Sequence, residues 1–258
     1  MGRFKLGRKA VKQDSRTLKL CRYLTPSLAA APATADWTRG ITEWGMMLND
    51  HIGDCTCAAA AHLVQGWTSN NSGTVTIGDP LLLAAYEALS GYDPTTGKND
   101  TGAVETDVLN FWRHNGIGGH AIEAYVALEP GNRDHVKDAV NLFGGCYAGL
   151  AMPLSAQSQV TWRIPPNGAR GPGAPGSWGG HAVAVVAYNS RRVTCVTWGA
   201  LKHMTWAFFA AYCDEAYAVL STDWFAGKTA PVGLDLATLR DDLGKLAHAP
   251  LPTGAAGN

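Results

Sequence analysis

Cys55 and His181 are the residues of this 258-residue sequence whose surroundings could support covalent chemistry. The polar, glycine-containing run Asn49-Asp50-His51-Ile52-Gly53-Asp54 leads directly into Cys55-Thr56-Cys57 and four alanines, Ala58 to Ala61. That composition predicts a helix from Cys55 to about Trp67, with the thiol at its head. A helix N-terminus carries roughly +0.5 elementary charge and favours a thiolate over a thiol. A nucleophilic cysteine also needs a base within hydrogen-bond reach. Gly179-Gly180-His181 opens the apolar run Ala182 to Val186, so this imidazole stands at the start of a strand. The implied chemistry is transfer of the thiol proton to the ring and attack of the thiolate on a carbonyl carbon.

Other readings of the same residues are weaker. Cys57 lies two positions further on, about 200° round the helix, and points into the body. Cys55 can also be read as an inert buried thiol. His51, Asp54, Cys55, Cys57 and His62 lack the regular spacing of a structural zinc site, so no metal or other cofactor is expected. His62 reads as a packing or exposed histidine, and His114 and His120 as surface residues flanking an Asn-Gly turn. Trp206, Phe208 and Phe209 read as packing rather than a ligand cage. Six cysteines are too few for a disulfide scaffold, and Cys146 and Cys195 lie in apolar runs typical of buried thiols.

The elements that must position the pair are legible in outline. Helices are predicted over about 79–90, 104–114, 133–143 and 205–212, with a terminal helix over 235–246. Strands are predicted over 121–127, 146–152, 181–188, 193–198 and 216–220. Asp79-Pro80 marks a helix start and Asn115-Gly116 a helix end. Pro165 to Ser177 is an irregular loop that delivers the chain to His181, and Pro250 to Asn258 should be loose. Helices early and strands late predict an α+β architecture of two lobes, with no internal repeat.

Net charge is zero but unevenly spread. Residues 1–22 hold eight basic residues against Asp14 alone, and the remainder carries a compensating acidic excess. Such a basic arm is a solvated tail, or seeks an acidic or nucleic-acid partner, or docks on its own acidic body. No run approaches the roughly 18 apolar residues of a membrane span. The basic, interrupted N-terminus has no apolar signal-peptide centre, which predicts a cytoplasmic location or one within a macromolecular assembly.

Taken in order, these residues resemble the papain family of cysteine peptidases. Asp36-Trp37 is similar to the dipeptide near the start of the mature family domain. Asn49, six residues before Cys55, stands where the family places its oxyanion-hole glutamine, and Gly53-Asp54-Cys55-Thr56 resembles the head of its catalytic helix. Asn99-Asp100-Thr101-Gly102 lies near the family's glycine-rich groove wall. Val140 to Leu150 resembles the segment before the histidine loop. His181-Ala182-Val183 with Tyr188-Asn189 resembles the histidine strand, and Thr197-Trp198-Gly199 the tryptophan motif that follows it. His181 follows Cys55 by 126 residues, and the family pattern has its histidine and asparagine about 130–150 residues downstream. The resemblance covers residues 35–221, between a basic arm (1–34) and a C-terminal helix and tail (222–258).

It implies a papain-like two-lobe α+β fold, a helical lobe and an antiparallel β-barrel-like lobe meeting at a cleft. It also implies Cys55 as nucleophile, His181 as base, Asn49 as oxyanion donor, Trp198 as shield of the imidazole and Gly102 as groove wall. The departures are specific. Ile52 replaces a disulfide cysteine, Thr56 a tryptophan, and Val196 the asparagine that orients the imidazole. Residues 1–34 are too short to resemble the family's long inhibitory prosegments. Two functions follow: a thiol hydrolase acting on peptide or amide bonds, including cell-wall substrates, or an inactive papain-like module docked by its basic arm into a larger assembly such as a virus particle.

Overall fold

The computed structural model describes residues 4–225 and 232–248. Helix α1 (Cys55–Ser69) is the element the others surround, and every side chain from Cys55 to Thr68 is buried. Ala58 to Ala61 make this possible, because methyl side chains let neighbouring backbones approach on every side. Against it lie α2 (Asp79–Ser90) and α3 (Glu105–Asn115). Helix α2 has Pro80 in its first turn and ends at Gly91 in the left-handed conformation, φ 73°.

The second lobe is one sheet of eight strands: β1 (Ala35–Asp36), β2 (Ala124–Ala127), β3 (Cys146–Met152), β4 (Thr161–Trp162), β5 (Gly179–Tyr188), β6 (Arg192–Thr197), β7 (Ala200–Thr205) and β8 (Cys213–Leu220). Their order is β2-β8-β3-β5-β6-β7-β4, with β1 added against β5. All pairings are antiparallel except β4 with β7, and the sheet does not close into a barrel. Helices α4 (Arg133–Phe143), α5 (Trp206–Tyr212), α6 (Thr222–Phe225) and α7 (Leu236–His248) are the other α-helices among the described residues. The Asn132 side chain caps α4 by accepting from the Asp134 and His135 amides.

Strand β5 divides two hydrophobic cores, which is why its sequence reads as a continuous apolar run. Val183 and Val185 face a core shared with α4, α5 and α7. Ala182, Ala184 and Val186 face the core built around α1. In α7, Leu239 is buried and Leu236 and Leu243 pack partly against the first core, as their spacing predicts; the side chain of Leu246 and the tail 249–258 lie outside the described residues. The five cysteines other than Cys21 are buried, and all six are free thiols.

The arm is no solvated tail over its described length. Leu20 and Tyr23 are buried in the same core as Leu234 and Leu239. Lys5, Lys12 and Arg22 pair with Asp100, Asp107 and Asp242, Arg8 pairs with Asp214 and Glu215, and Arg16 pairs with Asp14 inside the arm. Of the readings its charge allows, docking on the chain's own acidic body is the one the described residues adopt.

Candidate active site

The head of α1 meets the start of β5. The Ala182 amide donates to Cys55 Sγ at 3.4 Å, so the thiol lies against the residue that follows His181. Both Cys55 and His181 are buried. The ring of His181 is held from two directions. Nε2 and Thr197 Oγ1 are 2.6 Å apart, and the Trp198 indole stacks on the imidazole with centroids 4.4 Å apart and planes 13° from parallel. With the proton on Nε2, the ring donates to Thr197 and leaves Nδ1 as the basic nitrogen. Nδ1 has no hydrogen-bond partner among the described residues.

Strand parity explains the role of Thr197. Val196 pairs with Ala184 and shares its face, towards α1. Its neighbour Thr197 points to the opposite side, the side of His181. Trp198 then takes a left-handed backbone, φ 47°, at the turn into β7, which lays its ring over the imidazole.

The loop before Cys55 is braced from within. Asn49 is buried, and its Nδ2 donates to Asp54 Oδ1 at 3.2 Å and to the Ile52 carbonyl at 3.5 Å. Burial pushes the Asp54 carboxyl up to about 8, so beside Cys55 it is a neutral acid near neutrality. Asp100 Oδ1 accepts from the Gly53 amide at 2.7 Å and from the Tyr86 hydroxyl at 2.8 Å, and that hydroxyl accepts from the Gly102 amide at 2.9 Å. One hydrogen-bonded unit therefore holds two walls, Gly53 and Gly102. The first backbone bonds of α1 are made by the Cys57 and Ala58 amides to Asp54, so the Cys55 amide stands at the helix terminus where donors lack intrahelical partners.

Between those walls runs the N-terminal arm. The Ala103 amide donates to the Gly7 carbonyl at 2.9 Å, the Lys9 amide to Ala103 at 2.9 Å, and the Arg8 amide to Gly180 at 3.1 Å. The Gly7 amide dipole also acts on the Cys55 thiol, against the upward pull of burial. Only glycine fits here: a Cβ on Gly7 would lie 1.6 Å from the Gly53 oxygen, and one on Gly102, whose φ is 75°, would lie 1.8 Å from the Gly7 oxygen. Phe4 stacks on the outer face of Trp198 at 4.5 Å, and the Trp198 Nε1–H donates to the Lys5 carbonyl at 3.1 Å.

Electrostatics follow from this cover. Burial pushes the Cys55 thiol up to about 12. Burial, then the nearby Arg8 charge, holds the His181 ring down to about 3. Under the arm the pair is a thiol and a neutral imidazole. His62, expected to be a packing or exposed histidine, is buried; it sits 3.1 Å from the Gly45 carbonyl and burial holds it down to about 4.

Solved structures share this architecture. The chain is similar to xylellain, a cysteine protease from Xylella fastidiosa, with a TM-score of 0.63 and 16% identity over 86% of this chain and 98% of that one. It is also similar to procathepsin B S9 from Trypanosoma congolense, with a TM-score of 0.58 and 12% identity over 84% and 86% of the two chains. Digestive procathepsin L 3 from the Tenebrio molitor larval midgut superposes with a TM-score of 0.55 and 12% identity over 80% and 76%. The fold is that of the papain-like cysteine proteases. The sequence itself matches no family model and no curated protein.

Within that papain-like frame, the structure brings together Cys55, His181, Trp198 and Gly102 around one cleft, with Asn49 behind the loop that bears Cys55. Three features lie beyond the sequence reading. Thr197, rather than any residue at position 196, holds the imidazole. The arm, short as it is, threads the cleft. Arg8 carries its guanidinium into a cluster of carboxylates, Glu105, Asp214 and Glu215. Gly7, between two bulkier residues in a basic stretch, was the available sign of a close approach.

Proposed function

We propose that the chain is a papain-like thiol hydrolase of peptide or amide bonds, latent while its arm occupies the cleft. The observation that carries this reading is the Cys55 sulfur at a helix head, in contact with the His181 strand, with the imidazole clamped between Thr197 and Trp198. With the arm withdrawn, water and the helix terminus favour a thiolate–imidazolium pair, formed as His181 Nδ1 takes the Cys55 proton. The thiolate adds to the amide carbonyl carbon. The oxyanion is met by the Cys55 amide and by Asn49, which turns one N–H from its 3.5 Å contact with Ile52. His181 protonates the leaving amine, the C–N bond breaks, and water hydrolyses the thioester to release the acid and restore the thiol. Thr197 keeps the ring aligned throughout.

Gly7→Ala tests this in the 258-residue chain, because the added methyl cannot pass Gly53 and must lift the arm. That variant should alkylate at Cys55 faster than wild type and cleave a mixed library of fluorogenic peptides; adding Cys55→Ala should abolish cleavage. Rapid alkylation without any cleavage would leave the inactive-module reading in front.

A further inference from the structure

We infer that His62 is a positioning residue: from within α1 it holds the strained turn Gly45–Leu48 and so fixes where Asn49 stands beside Cys55. The inference rests on the hydrolase reading for the use of Asn49 as a donor, and gives work to a buried histidine which that reading leaves idle.

The turn is costly to form. Gly45, at φ 71°, is followed by Met47 and Leu48, both left-handed at φ 55° and 63°. Glycine adopts that backbone freely, but a β-carbon crowds the following carbonyl, so two successive side-chain-bearing residues there are strained. The other two non-glycine residues of this kind among the described residues are Asn99, three positions before Gly102, and Trp198, over the imidazole. Such backbone persists only where its surroundings over-determine it. The turn also leads straight into the site. The Asn49 amide donates to the Met46 carbonyl at 3.2 Å, and the His51 and Ile52 amides donate to the Leu48 carbonyl at 2.8 and 3.0 Å. Drift of Met47 and Leu48 therefore carries Asn49 with it.

Helix α1 supplies the restraint. His62 Nε2 lies 3.1 Å from the Gly45 carbonyl. One turn on, Gln65 Nε2 donates to the Glu43 carbonyl at 2.8 Å and to Thr76 Oγ1 at 3.0 Å. Residues three apart share a helix face, so this pair lines up along the incoming segment 43–45, which forms no helix or strand of its own. A carbonyl can only accept, so the His62 proton sits on Nε2. Burial holds the ring down to about 4, so it meets Gly45 as a neutral donor near neutrality. The same peptide unit carries the shield of the other imidazole. A Cβ on Gly199 would lie 3.2 Å from the Gly45 carbonyl carbon and oxygen, so the turn bearing Trp198 rests on the peptide that His62 holds.

The test compares His62→Leu, which removes the donor, with His62→Gln, whose amide can replace Nε2–H. In the otherwise unaltered chain, hydrogen exchange at the Asn49, His51 and Ile52 amides should quicken about tenfold or more in His62→Leu, with Ala60 to Val64 within about twofold of wild type. His62→Gln should return the loop amides most of the way. In the Gly7→Ala background a peptide aldehyde then reads the placement of Asn49. The thiolate bonds to the aldehyde carbon and the oxygen enters the donor site, whereas iodoacetamide alkylation builds no such oxygen. His62→Leu should weaken the aldehyde about tenfold and leave alkylation within about twofold. Unchanged loop exchange overturns the inference. So does exchange that quickens equally along α1, the mark of a merely destabilised helix, or quickened loop exchange with undiminished aldehyde affinity. Should His62→Leu not fold, His62→Asn, whose amide stops short of Gly45, must meet the same requirements. A Gly7→Ala parent that takes up no aldehyde removes the hydrolase reading, and the exchange pattern alone then decides whether His62 fixes the Asn49 loop.

Discussion

Two polar sites lie side by side under the same stretch of arm, and the arm treats them in opposite ways. Over Cys55 and His181 it supplies backbone and aromatic cover and no counter-charge on the ring, so burial leaves a neutral thiol and a neutral imidazole. In the neighbouring pocket it supplies a guanidinium. There burial works against the Arg8 charge, but the Glu105, Asp214 and Glu215 carboxylates outweigh it and raise its pKa. Burying a charge is tolerable only where an opposite charge and hydrogen bonds come with it. Under the proposed hydrolase reading, one segment has two jobs: dehydration would silence the Cys55–His181 pair, and ion pairing would hold the arm in place.

The largest expected effect removes the base without touching the acidic pocket. In a Gly7→Ala background, His181→Ala should lower kcat by roughly 10⁴–10⁶, the range found when a hydrolase loses a member of its catalytic unit. A kcat indifferent to His181→Ala would remove His181 from the mechanism.

Next comes the ring's orientation. Thr197→Val keeps the branched shape and removes the oxygen 2.6 Å from Nε2. Turnover in the Gly7→Ala background should fall about 100-fold through kcat, within the span of general acid–base contributions, with KM unchanged. Thr197→Ser should restore most of it. A kcat indifferent to Thr197→Val would remove Thr197 from the mechanism.

The pH dependence sharpens the contrast between covered and open states. The ordinary thiol value is 9.0 and the covered Cys55 value about 12, so docking is favoured below 9 and that contribution is lost as pH rises towards 12. For His181 the ordinary value is 6.5 and the covered value about 3, so docking is favoured above 6.5 and that contribution is lost as pH falls towards 3. The two signs together leave the covered form best supported between those ordinary values. Alkylation of Gly7→Ala, whose uncovered thiolate is stabilised by the helix terminus and the imidazolium, should level off below the ordinary thiol value of 9.0, while wild type keeps rising above it. Coincident profiles would mean that the arm does not control ionisation of the thiol.

How much of this was legible in the sequence depends on the range of the interaction. The thiol at a helix head and the histidine at a strand start are local patterns, and both elements form where composition predicts. Strand β7 was not legible, because Ala200-Leu201-Lys202-His203 lies near a sheet edge with mixed exposure and shows no clean alternation. Thr197 was hidden by parity: the position that resemblance singles out is 196, and a strand sends it to the other face. The arm's charge announced an acidic partner without naming it. The carboxylates that answer Arg8 come from α3 and β8, and only the packed sheet brings them to Gly149.

The smallest effect tests whether the arm's grip is general or local. Lys5 and Lys12 pair with Asp100 and Asp107 at 3.3 and 2.9 Å, but both lysines are exposed, unlike Arg8. Exposed pairs are screened by salt and lose side-chain entropy when formed. Lys12→Ala should therefore speed Cys55 alkylation by less than about threefold, and raising the salt concentration should erase even that difference. The buried Arg8 contact should respond far less to salt. A large, salt-sensitive response to Lys12→Ala would move the anchor from the buried pocket to the arm's diffuse surface charge. The division of labour drawn above would then fail at its second half, because attraction shared along the whole arm would hold the cleft closed without any one recognised side chain.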